Sequence, residues 1–262
     1  MLIATTARLR AVVVSALHAP SLGLEAYNAG PLFQPDDTMT TLLALDTATE
    51  ACSVALLHEG RLLSRYEVIP RLHAQCLLPM VQAVLADAGT VLSAVDAIAF
   101  GRGPGAFTGV RIAVGVVQGL AFALDRPVLP VSNLAVLAQR AYREQGVRQV
   151  AAAIDARMDE VYWGCYRLES GEMRLVGSEA VLPPEQGQLP SGSEGDWFGA
   201  GTGWAYADRL AVRPALGMDA SLLPHAEDLL RLAEFAWVRG EGMPAEAAQP
   251  VYLRDQVATP KA

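Results

Sequence analysis

The amino-acid sequence predicts an α/β protein built as two similar lobes, each of the βββαβα type. Two observations lead to this prediction. The same order of short apolar strands and turns occurs in both halves of the chain, and each half ends its first strand with an aspartate, Asp46 or Asp155. A duplicated α/β fold of this kind would place one carboxylate from each half at a shared cleft.

The first half opens with three predicted strands, Leu42–Asp46, Ala51–His58 and Arg61–Val68. They are apolar or alternating runs separated by short turns, the second of which is Glu59–Gly60. Because turns this short join neighbouring strands that run in opposite directions, we expect three consecutive antiparallel strands.

Helices and strands alternate through the rest of the first half. Residues 72–89 carry apolar side chains at helical spacing and end at a glycine, which is typical of a helix with a C-cap. After it we expect a strand at 96–100, a helix at 109–124, a strand at 127–131 and a helix at 132–146.

A glycine-rich junction, residues 101–111, lies between the fourth strand and the second helix. Three glycines surround Pro104, and we expect Thr108 to cap a helix that begins near Gly109. Such a junction suits a phosphate or a close contact between chains, because the absent side chains let another group approach the backbone.

The contact interpretation of this junction is favoured. Neither the dinucleotide fingerprint nor the Walker pattern is present, and Lys261, the only lysine, lies far away at the C-terminus. Further along the same helix, Gly115, Gly119 and Ala123 recur every four residues and leave a smooth face. The sequence therefore predicts that another helix packs on this face.

The second half repeats the opening pattern, with three predicted strands that each match one in the first half. A surface loop, a strand running into a glycine-rich turn and helix, a last helix and a polar tail follow. In chain order these segments are residues 150–155, 161–168, 172–177, 183–196, 197–204, 226–239 and 240–262.

The composition excludes several classes of function. The formal net charge of -8 gives no broad attraction for nucleic acid, so contact with RNA would need a partner or a local arginine patch. A single lysine removes most lysine-based chemistry. Cys52, Cys76 and Cys165 are widely spaced among apolar neighbours, and we interpret them as reduced core residues.

Asp46 and Asp155 are the candidate ligand-binding carboxylates. Paired carboxylates hold a metal–nucleotide complex in duplicated ATPase folds. The turns that follow them, residues 47–50 and 156–159, contain no glycine and each carries an extra acid, so they suit phosphate poorly. A structural role is favoured, and an ATP-dependent small-molecule kinase or phosphotransferase is the alternative.

Five segments together resemble the TsaB family, also called YeaZ. The motif Gly-Pro-Gly-x-Phe-Thr-Gly-x-Arg at residues 103–111 is the specific one. The resemblance runs from Met39 to about Val257, and residues 1–38 lie outside it. The segments that carry it are residues 43–56, 71–79, 101–111, 153–162 and 250–254.

The resemblance implies a bacterial, cytoplasmic protein with the actin-like, Hsp70-like (ASKHA) ATPase fold. It implies a non-catalytic scaffold for the paralogous TsaD, which transfers a threonylcarbamoyl group to adenosine 37 of tRNAs that read codons beginning with A. TsaE, a P-loop ATPase, joins this complex, and tRNA is met through the complex. Alone, such a chain forms a homodimer, and no membrane is involved.

One departure from TsaD supports the scaffold interpretation. Where the resemblance would place two metal-binding histidines four residues apart, this chain has Asn133 and Leu137. Leucine has no lone pair to offer a metal ion. We therefore expect no catalytic residue, no metal and no cofactor, beyond weak ATP or ADP binding at the complex interface and a weak nucleotide cleft at Asp46 and Asp155.

The domain and interface predictions follow from these points. Residues 1–38 are an extension that is disordered or arises from a mis-assigned start, 39–146 form the first lobe with the dimerisation helices, 147–239 form the second, and 240–262 form the tail. The predicted partner interface comprises Leu77, Val81, Gly101, Arg102, Gly103, Pro104, Gly105, Phe107, Thr108, Arg111, Gly115, Gly119 and Ala123.

Overall fold

The computed structural model describes residues 40–191 and 196–254. The prediction for residues 1–38 therefore lies outside the described residues, as does the end of the tail from residue 255.

The first sheet has five strands in the order β3-β2-β1-β4-β5. The first three pair antiparallel, as predicted, while β4 and β5 continue the sheet in parallel from β1. Parallel strands need a crossover, and a helix supplies it in each case. The strands are β1 (Leu42–Asp46), β2 (Ala51–His58), β3 (Arg61–Val68), β4 (Ala97–Gly101) and β5 (Val128–Val131).

The second sheet repeats this topology with five strands in the order β10-β9-β6-β7-β8. Read from its other edge, the order is the same as in the first sheet, with β6 in the place of β1. The predicted duplication is therefore confirmed. The strands are β6 (Gln149–Arg157), β7 (Glu160–Glu169), β8 (Glu172–Leu182), β9 (Phe198–Ala200) and β10 (Met218–Asp219).

In the part of the chain that the structure describes, four α-helices cover these sheets. α1 and α2 pack together on one face of the first sheet, where Leu43, Val54 and Phe100 point into a shared core. The helices are α1 (His73–Ala88), α2 (Phe107–Leu124), α3 (Asn133–Gln145) and α4 (Ala226–Val238).

Each of the last two helices packs on the sheet of the other lobe. α3 follows the first sheet in sequence but packs with Leu137 and Ala141 against β6 of the second sheet. α4 follows the second sheet but packs with Leu229 and Ala233 on the first. Packing therefore crosses the predicted boundary at residue 146, and the lobe limits stay a prediction.

The second lobe differs from the first in its connections. A helix is predicted after the glycine-rich turn near Gly203, but the structure has only a short 3-10 helix, Thr202–Tyr206. A side chain at Gly203 would overlap Ala153, and the Trp204 ring packs over Gly199 while its indole Nε1 donates to the Ala151 carbonyl at 2.8 Å. The segment therefore packs tightly against β6 where the longer helix was expected.

Candidate partner interface and interlobe cleft

The glycine junction joins β4 directly to α2. The helix begins at Phe107, two residues earlier than predicted, and Ala106 is its N-cap residue with extended backbone and no side-chain hydrogen bond. The predicted capping by Thr108 is therefore wrong, because Thr108 lies inside the first helical turn.

The glycines of the junction serve contact within the chain. Side chains at Gly105 and Gly109 would overlap the carbonyl oxygens of Ala48 and Thr47, in the turn after β1. The approach is fixed by two hydrogen bonds of 2.7 Å, from the Ala106 amide to the Ala48 carbonyl and from the Thr47 hydroxyl to the Gly109 carbonyl. Glycine is required here because two backbones meet.

Asp46 lies at the centre of this arrangement and is fully buried. Its carboxylate accepts hydrogen bonds from the Ala48 amide at 3.2 Å and from the Asn133 side-chain amide. The Asn133 side-chain oxygen in turn accepts from the Gly103 amide at 2.8 Å, and a side chain at Gly101 would overlap the Asp46 carboxylate. Asp46 therefore ties β1, α3 and the junction together.

Burial dominates the ionisation of Asp46. Desolvation raises the pKa of Asp46 to about 6, although the hydrogen bonds from Asn133 and Ala48 favour the charged form. Asp46 is not among the residues that line the cleft between the lobes. Asp46 is thus closed off from solvent while Asp155 lines the cleft, and the weak nucleotide cleft at these two aspartates stays a prediction.

Asp155 does line this interlobe cleft, but it is already paired. Its carboxylate accepts from the Arg157 amide and guanidinium, both at 2.8 Å, and its own amide donates to the Thr202 hydroxyl at 3.0 Å. Arg157 also lies 3.6 Å from Glu50 in the first lobe. Asp155 is therefore ion-paired with Arg157 at the rim of the cleft.

The interlobe cleft has a volume of about 750 Å³. Its lining combines the start of α2, the end of β6 and the C-terminal segment Val251 to Arg254, and it is mainly apolar. Phe107, Arg111 and Tyr252 form a cluster there, with the Arg111 guanidinium 3.2 Å above the Phe107 ring and 4.9 Å from the Tyr252 ring centre.

The predicted interface residues divide by exposure. Five of them are buried within the chain, so the prediction that they lie at a partner interface is wrong. Leu77 and Val81 belong to the core of the first lobe, and the other three lie in the junction, which the chain itself covers. Arg102 and Gly105 are partly exposed. The buried residues are Leu77, Val81, Gly101, Gly103 and Pro104, and the exposed ones are Phe107, Thr108, Arg111, Gly115, Gly119 and Ala123.

The exposed stripe of α2 is open. A side chain at Gly115 or Gly119 would meet no atom within 4 Å, whereas Val114, Val117 and Ala121 on the opposite side of the helix are buried in the core. α2 is also long and apolar enough in composition to cross a membrane. One side of α2 packs on the first sheet, and the other side carries the open stripe.

Comparison with known proteins gives consistent results. A family model described as TsaD, tRNA N6-adenosine threonylcarbamoyltransferase, matches residues 66–259. A protein of Escherichia coli (strain K12), named tRNA threonylcarbamoyladenosine biosynthesis protein TsaB, is 46% identical over 224 residues, which are 84% of this chain and 97% of that relative. The chain belongs to the TsaB family.

Other members of the TsaB family agree with this assignment. A Haemophilus influenzae protein of the same name is 44% identical over 227 residues, covering 83% of this chain and 94% of that relative. A solved structure, "YeaZ from Pseudomonas aeruginosa", shares 77% identity with a TM-score of 0.80 over 82% of this chain and 100% of that one. The resemblance and the duplicated ASKHA-type fold are confirmed.

In this TsaB-family chain, the two positions compared with metal ligands have other contacts. Asn133 is fully buried and engages Asp46 and Gly103, and Leu137 is fully buried in the core between α3 and β6. Among the described residues, no group of three or more His, Cys, Asp or Glu side chains is placed to hold a metal ion.

Sequence reasoning missed three exposed side chains at these surfaces. Phe122 is 83% exposed beside the small-residue stripe, and Leu78 is exposed on α1. Tyr252 reaches the start of α2 from the C-terminal segment. The position of Phe122, three residues after Gly119, could have indicated it, but no sequence signal joins Tyr252 to Phe107, which lies 145 residues earlier in the chain.

Proposed function

We propose that this chain acts in the biosynthesis of threonylcarbamoyladenosine in tRNA, as a non-catalytic scaffold for a TsaD-like subunit and with a TsaE-like ATPase. It works in the cytoplasm, it meets tRNA through the complex, and it forms a homodimer when alone. The names of the TsaB relatives and the family match give the pathway.

One observation supports the scaffold role above the others, namely the open stripe on α2. Gly115 and Gly119 have free space above them, Ala123 extends the stripe, and Phe122 stands exposed at its edge. A smooth face beside an exposed aromatic ring suits the packing of a partner helix, since small residues let helices approach and aromatic side chains are frequent binding hot spots.

The contacts of Asp46 and Asp155 support the absence of a catalytic role. Asp46 is buried and hydrogen-bonded as a structural group, while Asp155 is paired with Arg157. Weak ATP or ADP binding at the complex interface stays part of the proposal, with Asp155 as the carboxylate that the cleft offers.

The experiment that tests this function is reconstitution with omission. The chain is mixed with its TsaD-like and TsaE-like partners, a source of the threonylcarbamoyl donor, and unmodified tRNA, and each protein is left out in turn. Nucleoside mass spectrometry should detect threonylcarbamoyladenosine only when this chain is present. Undiminished modification in its absence would contradict the proposal.

A further inference from the structure

The C-terminal segment at residues 251–254, called the strap below, crosses the mouth of the interlobe cleft. It begins on the first lobe, where the Val251 amide donates to the Arg102 carbonyl at 2.8 Å. The Val251 carbonyl lies 3.0 Å from the position that a side chain at Gly103 would take, and Gly103 has a φ of +99°. The junction therefore needs glycine at 103 partly to receive the strap.

The second residue of the strap is fixed on the first turn of α2. The Tyr252 ring lies 6.3 Å from the Phe107 ring, and the Arg111 guanidinium contacts both rings. Arg111 also donates to the Phe107 carbonyl at 3.1 Å, which holds its side chain over the rings. Such cation–π contacts stabilise an arrangement of exposed rings.

The last residue of the strap reaches the second lobe. The Arg254 guanidinium donates to the carbonyls of Ala156 at 3.2 Å and Arg157 at 3.4 Å and forms an ion pair with Glu160. It also lies 3.6 Å from the Met158 sulfur. All of these groups belong to the β6–β7 turn or flank it.

This turn has an unfavourable backbone. Arg157, Met158 and Asp159 have φ values of 62°, 57° and 58°, so three consecutive residues with side chains adopt the left-handed conformation. Side chains disfavour this conformation, and it persists only where surrounding contacts favour it. One guanidinium nitrogen of Arg254, Nη2, contacts both carbonyls and the Glu160 carboxylate, and the planar group fixes the direction of its N–H donors.

We propose that the strap ties the two lobes across the cleft, and that Arg254 is a positioning residue that holds the β6–β7 turn in its left-handed conformation. The tie connects the second lobe to the first turn of α2, the helix that carries the open stripe. This inference rests on contacts within the chain and is independent of the proposed function.

Hydrogen exchange of backbone amides in the full chain tests the strap. In Arg254→Ala, exchange should become at least tenfold faster both in the turn at residues 157–159 and at the Val251 amide, at the opposite end of the strap. Arg65→Ala is the matched control, because it removes an exposed guanidinium whose partner, Asp87, lies in the same lobe. Unchanged exchange at Val251 in Arg254→Ala would overturn the proposal.

Arg254→Lys separates positioning from general stability. The lysine ammonium keeps the positive charge that pairs with Glu160, but it ends one bond short of the Nη2 atom that contacts the two carbonyls and lacks the planar guanidinium geometry, so exchange should return to slow values at Val251 while the 157–159 turn stays fast. The same comparison applies if Arg254→Ala does not fold. Equal exchange in the wild-type turn and the Arg254→Lys turn would overturn the role assigned to the guanidinium.

Discussion

Burial controls the ionisation of several side chains in this protein. Desolvation raises the pKa of Asp46 to about 6 and the pKa of Asp228 to about 6, the latter against the favourable effect of Arg143. It lowers the pKa of His225 to about 4, with smaller contributions from the charges of Arg140 and Arg143. Folding therefore shifts proton binding between pH 4 and 6.5, and stability must depend on pH in that range.

His225 gives the clearest pH prediction. Its ring stacks on Tyr66 at 4.7 Å, and its Nδ1 accepts from the Glu227 amide at the start of α4, which requires an unprotonated nitrogen. The unfolded chain takes up a proton near pH 6.5 whereas the folded chain resists until about pH 4. This group's contribution is full above pH 6.5 and is lost as the pH falls towards 4, by on the order of 3 kcal/mol at most.

Denaturant unfolding at a series of pH values measures this effect. Asp46 and Asp228 act in the opposite direction to His225. Their pKa values are raised in the folded chain, so their contribution to the free energy of unfolding increases as the pH falls from 6 towards 4. His225→Asn isolates the histidine, because asparagine keeps a capping acceptor but does not titrate. The variant should lose less stability than the wild type between pH 6.5 and 4, and identical losses would contradict the assignment.

At the scale of elements, α2 carries glycine on two faces, and only the inward face lacks space for a side chain. Gly109 faces inward, where a side chain would overlap the Thr47 carbonyl, and Gly119 faces outward into open space. Both are glycines in one helix, so their intrinsic helix propensities are equal. Only their surroundings differ.

Alanine substitution should therefore have opposite effects at these two sites. Gly119→Ala should raise the free energy of unfolding by roughly 0.5–1 kcal/mol, because alanine favours the helix and meets nothing. Gly109→Ala should lower it by about 1–3 kcal/mol or more, because the turn after β1 must move. Thermal and denaturant unfolding measure both variants, and two changes of the same sign would refute this account of the helix.

The sequence allowed the existence of α2 to be predicted but not its first residue. The apolar period of residues 109–124 indicates the helix, whereas its start at Phe107 depends on the hydrogen bond between Ala106 and Ala48, 58 positions earlier in the chain. The same limit applies to Asp46, whose place at the end of β1 follows from the pattern. Its burial depends on Asn133, in a distant helix.

At the scale of the whole molecule, the duplication could be predicted, but the packing of α3 and α4 on the sheet of the other lobe could not. The matching runs that end at Asp46 and Asp155 predict two equivalent sheets, which the strand orders confirm. Nothing in the apolar period of α3 or α4 specifies which sheet covers it, because periodicity defines a face but not its partner. The strap was similarly visible only as a compact motif near the end of the chain.

Among the described residues, the outer face of α2 at Gly115 and Gly119 is open, and the strap that we propose links the start of this helix to the second lobe. The central claim is that this face of α2 binds the TsaD-like subunit. Gly119→Leu tests it cleanly, because free space above Gly119 lets the chain fold with the larger side chain. Gln145→Leu, at the exposed end of α3, adds a similar apolar group away from the stripe.

The deciding measurement is the dissociation constant of each variant with the TsaD-like subunit, determined by calorimetry alongside melting temperatures. The account predicts that Gly119→Leu melts no lower than the wild type yet binds at least tenfold more weakly, while Gln145→Leu binds like the wild type. Unchanged affinity in Gly119→Leu would contradict the interface and with it the proposed role of α2.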